Sequence, residues 1–367
     1  MSSKLPLEGL TVVAFEQAVA APFCTSRLAD AGARVIKIER PEGDFARGYD
    51  TVAAGQSSYF VWLNRGKESR VVDLATPAGK SEAAALIAQA DVLVQNLKPG
   101  ALARLGFGAE VLRERHPRLI VCSISGYGDS GPMAERKAYD LLIQAESGLA
   151  SVTGGGDGPA RVGTSIVDIA TGATAHAAIL EALIARGNSG QGCDIRISMF
   201  DVMADWLTVP LLHQEGGKPP QRMGLAHPSI APYGAFHTRD GKLVLLSIQS
   251  DREWGLLAEK VLGDPALVRD PRFATNVARV ANRGETDAQV SRVLAGLDEA
   301  QACEALAAAD LAFASVNDMA ALSTHPHLRR ITVDTPGGEV SYPAPAPIVM
   351  GEQRRYGRVP ALGEAES

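Results

Sequence analysis

The sequence is short of the features that announce a chemistry outright. Aromatic residues make up only 5% of it, and the four cysteines, Cys24, Cys122, Cys193 and Cys303, are far apart. None forms a C-x-x-C pair, so neither a zinc site nor a disulfide framework is indicated, and free thiols in a reducing cytoplasm are expected. The formal charge is a mild −6, with no Lys/Arg cluster of the kind used on nucleic acid or anionic membranes. No apolar run reaches the ~20 residues of a membrane helix. The start, MSSKLPLEGLTVVAF, lacks the charged head and long apolar core of a signal peptide. A cytoplasmic protein without nucleic-acid or membrane partners is the expectation. His176, His213, His227 and His237 show no H-E-x-x-H spacing, and no metal is expected. A serine-hydrolase elbow is also missing, since GTSIV at 163–167 ends on the wrong residue. EQAVAAP, after the first predicted strand, lacks the glycines of G-x-G-x-x-G, and GGGDG at 154–158 reads as a flexible turn. NAD or ATP binding is therefore unsupported.

What the chain does have is an ordinary globular balance, 46% hydrophobic and 21% charged over 367 residues. Such a length suggests two domains. The first 125 or so residues alternate short Val/Ile/Leu runs with helical segments: LTVVAF, ARVIKIERP, SRVVDL, DVLVQNL and LIVCSISGY are the predicted strands. Continuous apolar strands between helices predict a parallel sheet covered on both faces, a doubly wound α/β domain. From 138 to 210 the pattern turns helical, and GNSGQG is a helix stop. HQEGGKPPQRMGLAHPS is dense in Gly and Pro and reads as a linker. YGAFHTRDGKLVLLSI predicts a hairpin around Asp240–Gly241, three helical segments follow, and the tail VSYPAPAPIVM reads as extended. The resulting division is a large Rossmann-like domain at 1–210, a linker at 211–225, a small α/β domain at 226–324 and a return to the large domain at 325–367.

Ligands of doubly wound folds bind beyond the carboxyl ends of the strands. The residues that follow the predicted strands mix amides, small side chains and cations, as a phosphate-bearing ligand with an adenine-like end requires. Arg40, Lys98, Arg104 and Lys137 are the candidate phosphate cations. Each also fits an ordinary solvated surface role.

Asp168 stands at the head of an otherwise small, apolar run, SIVDIATG. Ser165 and Asp168 match a capping box opening a helix. The same position, in the first helical turn, favours an ionised carboxylate, as a carboxylate nucleophile needs. Ala170, Thr171, Gly172 and Ala173 would leave room for a thioester to approach.

Six ordered blocks resemble the class III coenzyme A transferases, the CaiB/BaiF family. They are LEGLTVVAFEQAVAAPFCTSRLADAGARVIKIERPEGD, NRGKESRVVDLATPAGK, ADVLVQNLKPGALARLGFG, LIVCSISGYGDSGP, AYDLLIQAESGLASVTG, and VGTSIVDIATG with LIARGNSGQGCDIRISMFD. The resemblance implies that Asp168 is the catalytic aspartate. It implies that Val19, Ala20, Arg40, Leu74, Asn96, Leu97, Lys98, Arg104 and Lys137 line a coenzyme A site, with Tyr139 and Asp140 at the edge of the thioester. It implies coenzyme A as substrate and acyl carrier, an acyl-CoA and a small carboxylic acid as partners, and two chains interlocked as a homodimer. The family's racemase branch carries a histidine where this chain has Tyr139. A phenol with a pKa near 10 is a poor proton shuttle at neutral pH, which argues for transfer over racemisation. Oxalate-using members carry a tetraglycine lid in the second domain, and none stands between 216 and 260. EQAVAAP, GDFARGYD, HPSIAPYG and IQSDREW look most like members acting on C4–C5 dicarboxylates, of the mesaconyl-CoA type. Gln17, Arg47 and His227 are the candidates for holding a distal carboxylate, each with a surface role as the alternative. A 2-methylacyl-CoA racemase and a non-catalytic CoA-binding protein are the rival readings.

Overall fold

The computed structural model describes residues 4–352 and 354–364. Six parallel strands form the main sheet: β1 (Thr11–Phe15), β2 (Arg34–Glu39), β3 (Lys67–Val71), β4 (Val92–Gln95), β5 (Ile120–Ser125) and β6 (Asp194–Ser198). Their order is β3-β2-β1-β4-β5-β6, so the direction of winding reverses between β1 and β4. β3 begins and ends earlier than SRVVDL predicts, because Lys67 and Glu68 are buried by ion pairs rather than by apolar character.

Strand side chains alternate between two cores, as a period of two requires. Val12, Val35, Val92, Val94 and Cys122 face α1 (Ala20–Asp30) and, further along the chain, a long helix that opens at Ile166. Val13, Ile36, Leu93 and Val121 face the opposite side. The chain between β2 and β4 adds α2 (Ser58–Asn64), which no local pattern predicts, and α3 (Pro77–Ile87). After β4 come α4 (Ala101–Arg104) and α5 (Ala109–Arg115), and after β5 come α6 (Asp140–Glu146) and α7 (Leu149–Val152). Ala83 and Ile87 of α3, Leu102 of α4 and Leu112 of α5 close the second face.

The long helix is α8 (Ile166–Ser189), stopped at Gly190 in the left-handed region (φ 72°). By length and composition it is apolar enough to cross a membrane, which corrects the count of apolar runs. Its buried residues pack in the sheet core, against α1. Gly172 is required there: a Cβ would stand 2.4 Å from the Ala20 carbonyl oxygen. α9 (Met199–Trp206) and α10 (Thr208–Glu215) follow β6.

The chain divides into two compact units. One holds residues to Leu149, Arg161–Val209 and Arg329 onward; the other holds Ala150–Ala160 and Pro210–Leu328. The stretch 211–225 thus belongs to the second unit and opens in helix, and GGGDG at 154–158 is a turn of that unit. The second unit is built on an antiparallel sheet, β7 (Tyr233–His237), β8 (Leu243–Ser247) and β9 (Ala312–Ser315), over a core of Trp254, Phe273, Val290 and Leu306. Its helices are α11 (Asp251–Leu256), α12 (Asn276–Ala281), α13 (Arg283–Leu294), α14 (Glu299–Ala308) and α15 (Met319–Ser323). The turn between β7 and β8 is the one expected, with Gly241 at φ 79°. In the first unit the tail forms a hairpin, β10 (Arg330–Thr335) with β11 (Gly338–Pro343), where a merely extended segment was expected; Val333 and Val359 pack on Phe60 and Val61 of α2.

Candidate active site

Where β1 and β4 diverge, the loops at their carboxyl ends leave a crevice, the place at which doubly wound sheets bind ligands. A cavity of about 650 Å³ fills it. The loop after β1, the loop after β4, the 124–141 segment after β5 and the first turn of α8 build its walls. Asp168 lines it, half-buried. So do Gln17, Val19, Ala20, Asn96, Leu97, Lys98, Lys137, Tyr139 and Asp140. Arg40 and Leu74 line a second cavity of about 260 Å³, and Arg104 a third of about 300 Å³. Leu97 lines all three.

Two further sequence candidates, Arg47 and His227, line none of these three cavities. The guanidinium of Arg47 is committed to Glu39, donating from Nε at 2.9 Å and Nη2 at 2.7 Å, and lies over the Phe60 ring at 3.7 Å. Burial pushes the Glu39 carboxyl up, but Arg47, Lys37 and Ser69 outweigh it and hold it at about 2. His227 lies in the second unit, stacked on Tyr233 at 5.3 Å, with its Nδ1 accepting from the Ser229 amide.

The head of α8 differs from the capping box expected of it. Ser165 caps no backbone N–H; its hydroxyl stands 3.1 Å from the Tyr59 hydroxyl. Asp140 takes the capping role from outside the helix. Its Oδ1 accepts from the Val167 amide at 2.8 Å and the Asp168 amide at 3.2 Å, and its Oδ2 accepts from Gln144 Nε2 at 2.7 Å. Gln144 Oε1 in turn accepts from the Val162 amide at 2.9 Å. Burial, and then the like charge of Asp140, push the Asp168 carboxyl up to about 7. The helix terminus therefore does not keep Asp168 fully ionised at neutrality, as its sequence position suggested. Its small neighbours do not open the site either: Ala170, Thr171 and Gly172 are buried in helix packing.

The loop after β1 is clamped on both sides. Asn96 Oδ1 accepts from the Gln17 amide at 2.9 Å, and Asn96 Nδ2 donates to the Gln17 carbonyl at 2.8 Å. Ala18 stands at φ 61°, a left-handed conformation that costs an L side chain about 1–2 kcal/mol.

Several crevice residues escaped the sequence reading. Phe45, Tyr49 and Tyr59 form an aromatic wall, with Tyr49 and Tyr59 edge to face at 5.6 Å. Burial and the carboxylates of Asp44 and Asp168 push the Tyr49 phenol up to about 12, so it stays neutral. Arg161 also lines the crevice. Nothing in its local pattern marks it; only the fold shows that it lines the same crevice as Asp168. The aromatic cluster has a weak signal, SSYFVWLN, in a chain otherwise poor in aromatics.

These features place a half-buried, titratable carboxylate in an open crevice of a six-stranded Rossmann-like sheet. The family model for CoA-transferase family III matches residues 7–366. The chain belongs to that family and is a class III CoA-transferase. It is 40% identical to an acetyl-CoA:oxalate CoA-transferase of Acetobacter aceti, over 79% of this chain and 75% of that protein. It is 35% identical to a succinate–glutarate CoA-transferase of Agrobacterium fabrum, over 99% of this chain and 94% of that one. Among solved structures, a CaiB/BaiF family protein from Brucella suis superposes with a TM-score of 0.84 at 35% identity, covering 99% of this chain and 97% of that one.

Proposed function

We propose that the protein moves coenzyme A between an acyl-CoA and a dicarboxylic acid of four or five carbons, such as mesaconate or glutarate, with Asp168 as the covalent relay. A carboxylate oxygen of Asp168 attacks the donor thioester carbonyl. The C–S bond breaks, CoA thiolate departs, and a mixed anhydride remains. The thiolate then attacks Cγ of Asp168, freeing the donor acid and leaving an aspartyl-CoA thioester. The acceptor carboxylate attacks that Cγ and expels the thiolate again. Attack of the thiolate on the acyl carbon of this second anhydride releases the new acyl-CoA and restores Asp168. Atoms and charge balance over the cycle, and no carbon or sulfur changes oxidation state.

The observation that carries this reading is the position of Asp168: at the wall of an open crevice, with a carboxyl titrating about 7. A carboxylate of that basicity is a better nucleophile than an ordinary one and is still ionised in useful measure at neutral pH. The three cavities, each lined in part by Leu97, offer room for an extended CoA, with Arg40 and Arg104 toward its phosphates and Lys98 and Lys137 in the crevice itself. At the head of α1, Pro22 has no N–H and the Phe23 N–H donates to the Val19 carbonyl, so the Ala20 and Ala21 amides are the donors left without an intrahelical acceptor. An exposed phenol at Tyr139 favours transfer over racemisation.

The dicarboxylate reading needs a cation for the second carboxylate. Arg47 is taken by Glu39, and Arg136 pairs with Glu146 at 3.4 Å. Arg161 is proposed for the role: it lines the crevice, and its neighbour Val162 is tied through Gln144 and Asp140 to the Asp168 amide. A guanidinium suits two-point capture of a carboxylate. Incubation with acyl-CoA and then hydroxylamine should label the peptide that contains Asp168. An unmodified Asp168 during turnover would sink the relay.

A homodimer is proposed as well. In the single chain α10 buries none of its residues, and Trp206, Val209, Leu211 and Leu212 are each at least half exposed. Apolar surface of this kind is normally covered, and a second copy of the chain is the proposed cover. Light scattering that returns one chain's mass would refute it.

A further inference from the structure

Under the crevice lies a cluster of charges that the transfer chemistry does not use. Lys37 sits in the interior of β2, and its side chain is fully buried, as are those of Glu16 and Lys67. Lys37 Nζ donates to Asp44 Oδ2 at 2.8 Å and to the Glu16 carbonyl at 3.3 Å. Lys67 Nζ donates to Glu16 Oε1 at 2.7 Å. Two cations and two carboxylates balance. Buried ion pairs of this kind add little stability over packed apolar groups, so their presence asks for another reason.

That reason is in what the cluster holds. Asp44 Oδ1 accepts from the Ala18 amide at 3.2 Å and the Ala46 amide at 2.9 Å. Ala18 is the crevice residue with a positive φ, and such a conformation persists only where its surroundings over-determine it. Three clamps do so: Lys37 on the Glu16 carbonyl, Asn96 on both groups of Gln17, and Asp44 on the Ala18 amide. We propose that Asp44, neutralised by Lys37, is a positioning residue for CoA transfer. It fixes the left-handed turn at Ala18, and through it sets Gln17 and the first turn of α1 on the wall that Asp168 shares. The proposal rests on the transfer reading, but its first readout does not.

The test uses the full chain and two double variants. K37M/D44L removes the clamp while the remaining Glu16–Lys67 pair keeps the core neutral. K37M/D44N also removes the charges but leaves a carboxamide oxygen at position 44 to accept from the Ala18 amide. Amide exchange in the 16–20 segment should quicken in K37M/D44L and return toward wild type in K37M/D44N. In the transferase assay K37M/D44L should lose about tenfold or more in kcat while the acyl-CoA KM moves less than about threefold, the signature of a misplaced reacting wall. K37M/D44N should regain most of that kcat. Wild-type kcat in K37M/D44L, or a loss that persists in full in K37M/D44N, overturns the proposal. So does a K37M/D44L protein that fails to fold, since the cluster would then serve the core. If the wild-type chain transfers no CoA, the transfer reading fails, and the exchange data still show whether Asp44 holds the loop.

Discussion

Glu16 and Asp168 are both carboxylates withdrawn from water at the carboxyl edge of one sheet, and their chemistry diverges. Burial pushes Glu16 up, yet Lys67 and Lys37 together pull it below the ordinary carboxylate value. Burial pushes Asp168 up too, and its charged neighbour is another carboxylate, Asp140, so its carboxyl reaches about 7. The sign of the neighbour separates them. A compensated ion is inert and can hold a backbone in place. An uncompensated one is destabilised as an anion, the property on which the proposed relay draws.

The largest effect is expected at Asp168. On the proposed relay, Asp168→Ala should lower kcat by at least about 10³-fold, because the variant lacks the carboxylate that would carry the acyl group, while CoA affinity and the folded far-UV spectrum persist. Calorimetry and a steady-state assay check both halves, and near-normal turnover would end the relay reading. On the compensated side, Lys37→Met alone leaves Glu16 and Asp44 facing only Lys67. Breaking such a buried set should cost about 3–5 kcal/mol in denaturant unfolding, and a loss under about 1 kcal/mol would mean the cluster is not tightly coupled.

The pH dependence of stability sharpens the contrast. The Asp168 carboxyl titrates about 7 in the folded chain against 3.8 for a free side chain. As pH rises through that window the unfolded chain releases the proton first. The fold therefore loses stability between about pH 4 and 7, and loses no more above it. Asp168→Asn removes this loss, so the variant should gain up to about 4 kcal/mol over wild type at about pH 8 and nothing at about pH 3. Equal unfolding curves at the higher pH would contradict the shift. The rate profile should show the same group: transfer should rise to a plateau above about pH 7, and Asp140→Asn, which keeps an acceptor for the Val167 amide, should move that midpoint downward. The smallest effect is expected at Arg161. Arg161→Gln should raise the KM for a dicarboxylate acceptor about tenfold and leave a monocarboxylate unchanged. An equal change for both acids would remove Arg161 from acid recognition.

Much of the architecture was legible because it depends on local pattern. Apolar runs of four to six residues gave the parallel strands, and the glycines after Ser189 gave the end of α8. What escaped were elements built on non-local contacts. β3 carries Lys67 and Glu68 at buried positions, so its hydropathy misplaces it, and α2 and the β10–β11 hairpin are stabilised by packing on each other. The site was legible in the same uneven way. Most crevice residues follow strand ends, where the topology concentrates ligands, and Asp168 stood out as an acid heading a small, apolar helix. Arg47 looked free and is not, because Glu39, eight residues earlier, lies beside it only once β2 and the 45–48 turn are folded.

Short-range periodicity and residue type alone encode the doubly wound sheet, the family blocks and an acid at the head of a helix. The protonation state of that acid is set by the folded surroundings. Protonation depends on which charges come within a few ångströms and how much water is excluded, and Asp140 reaches the Asp168 amide from 28 positions away in the chain.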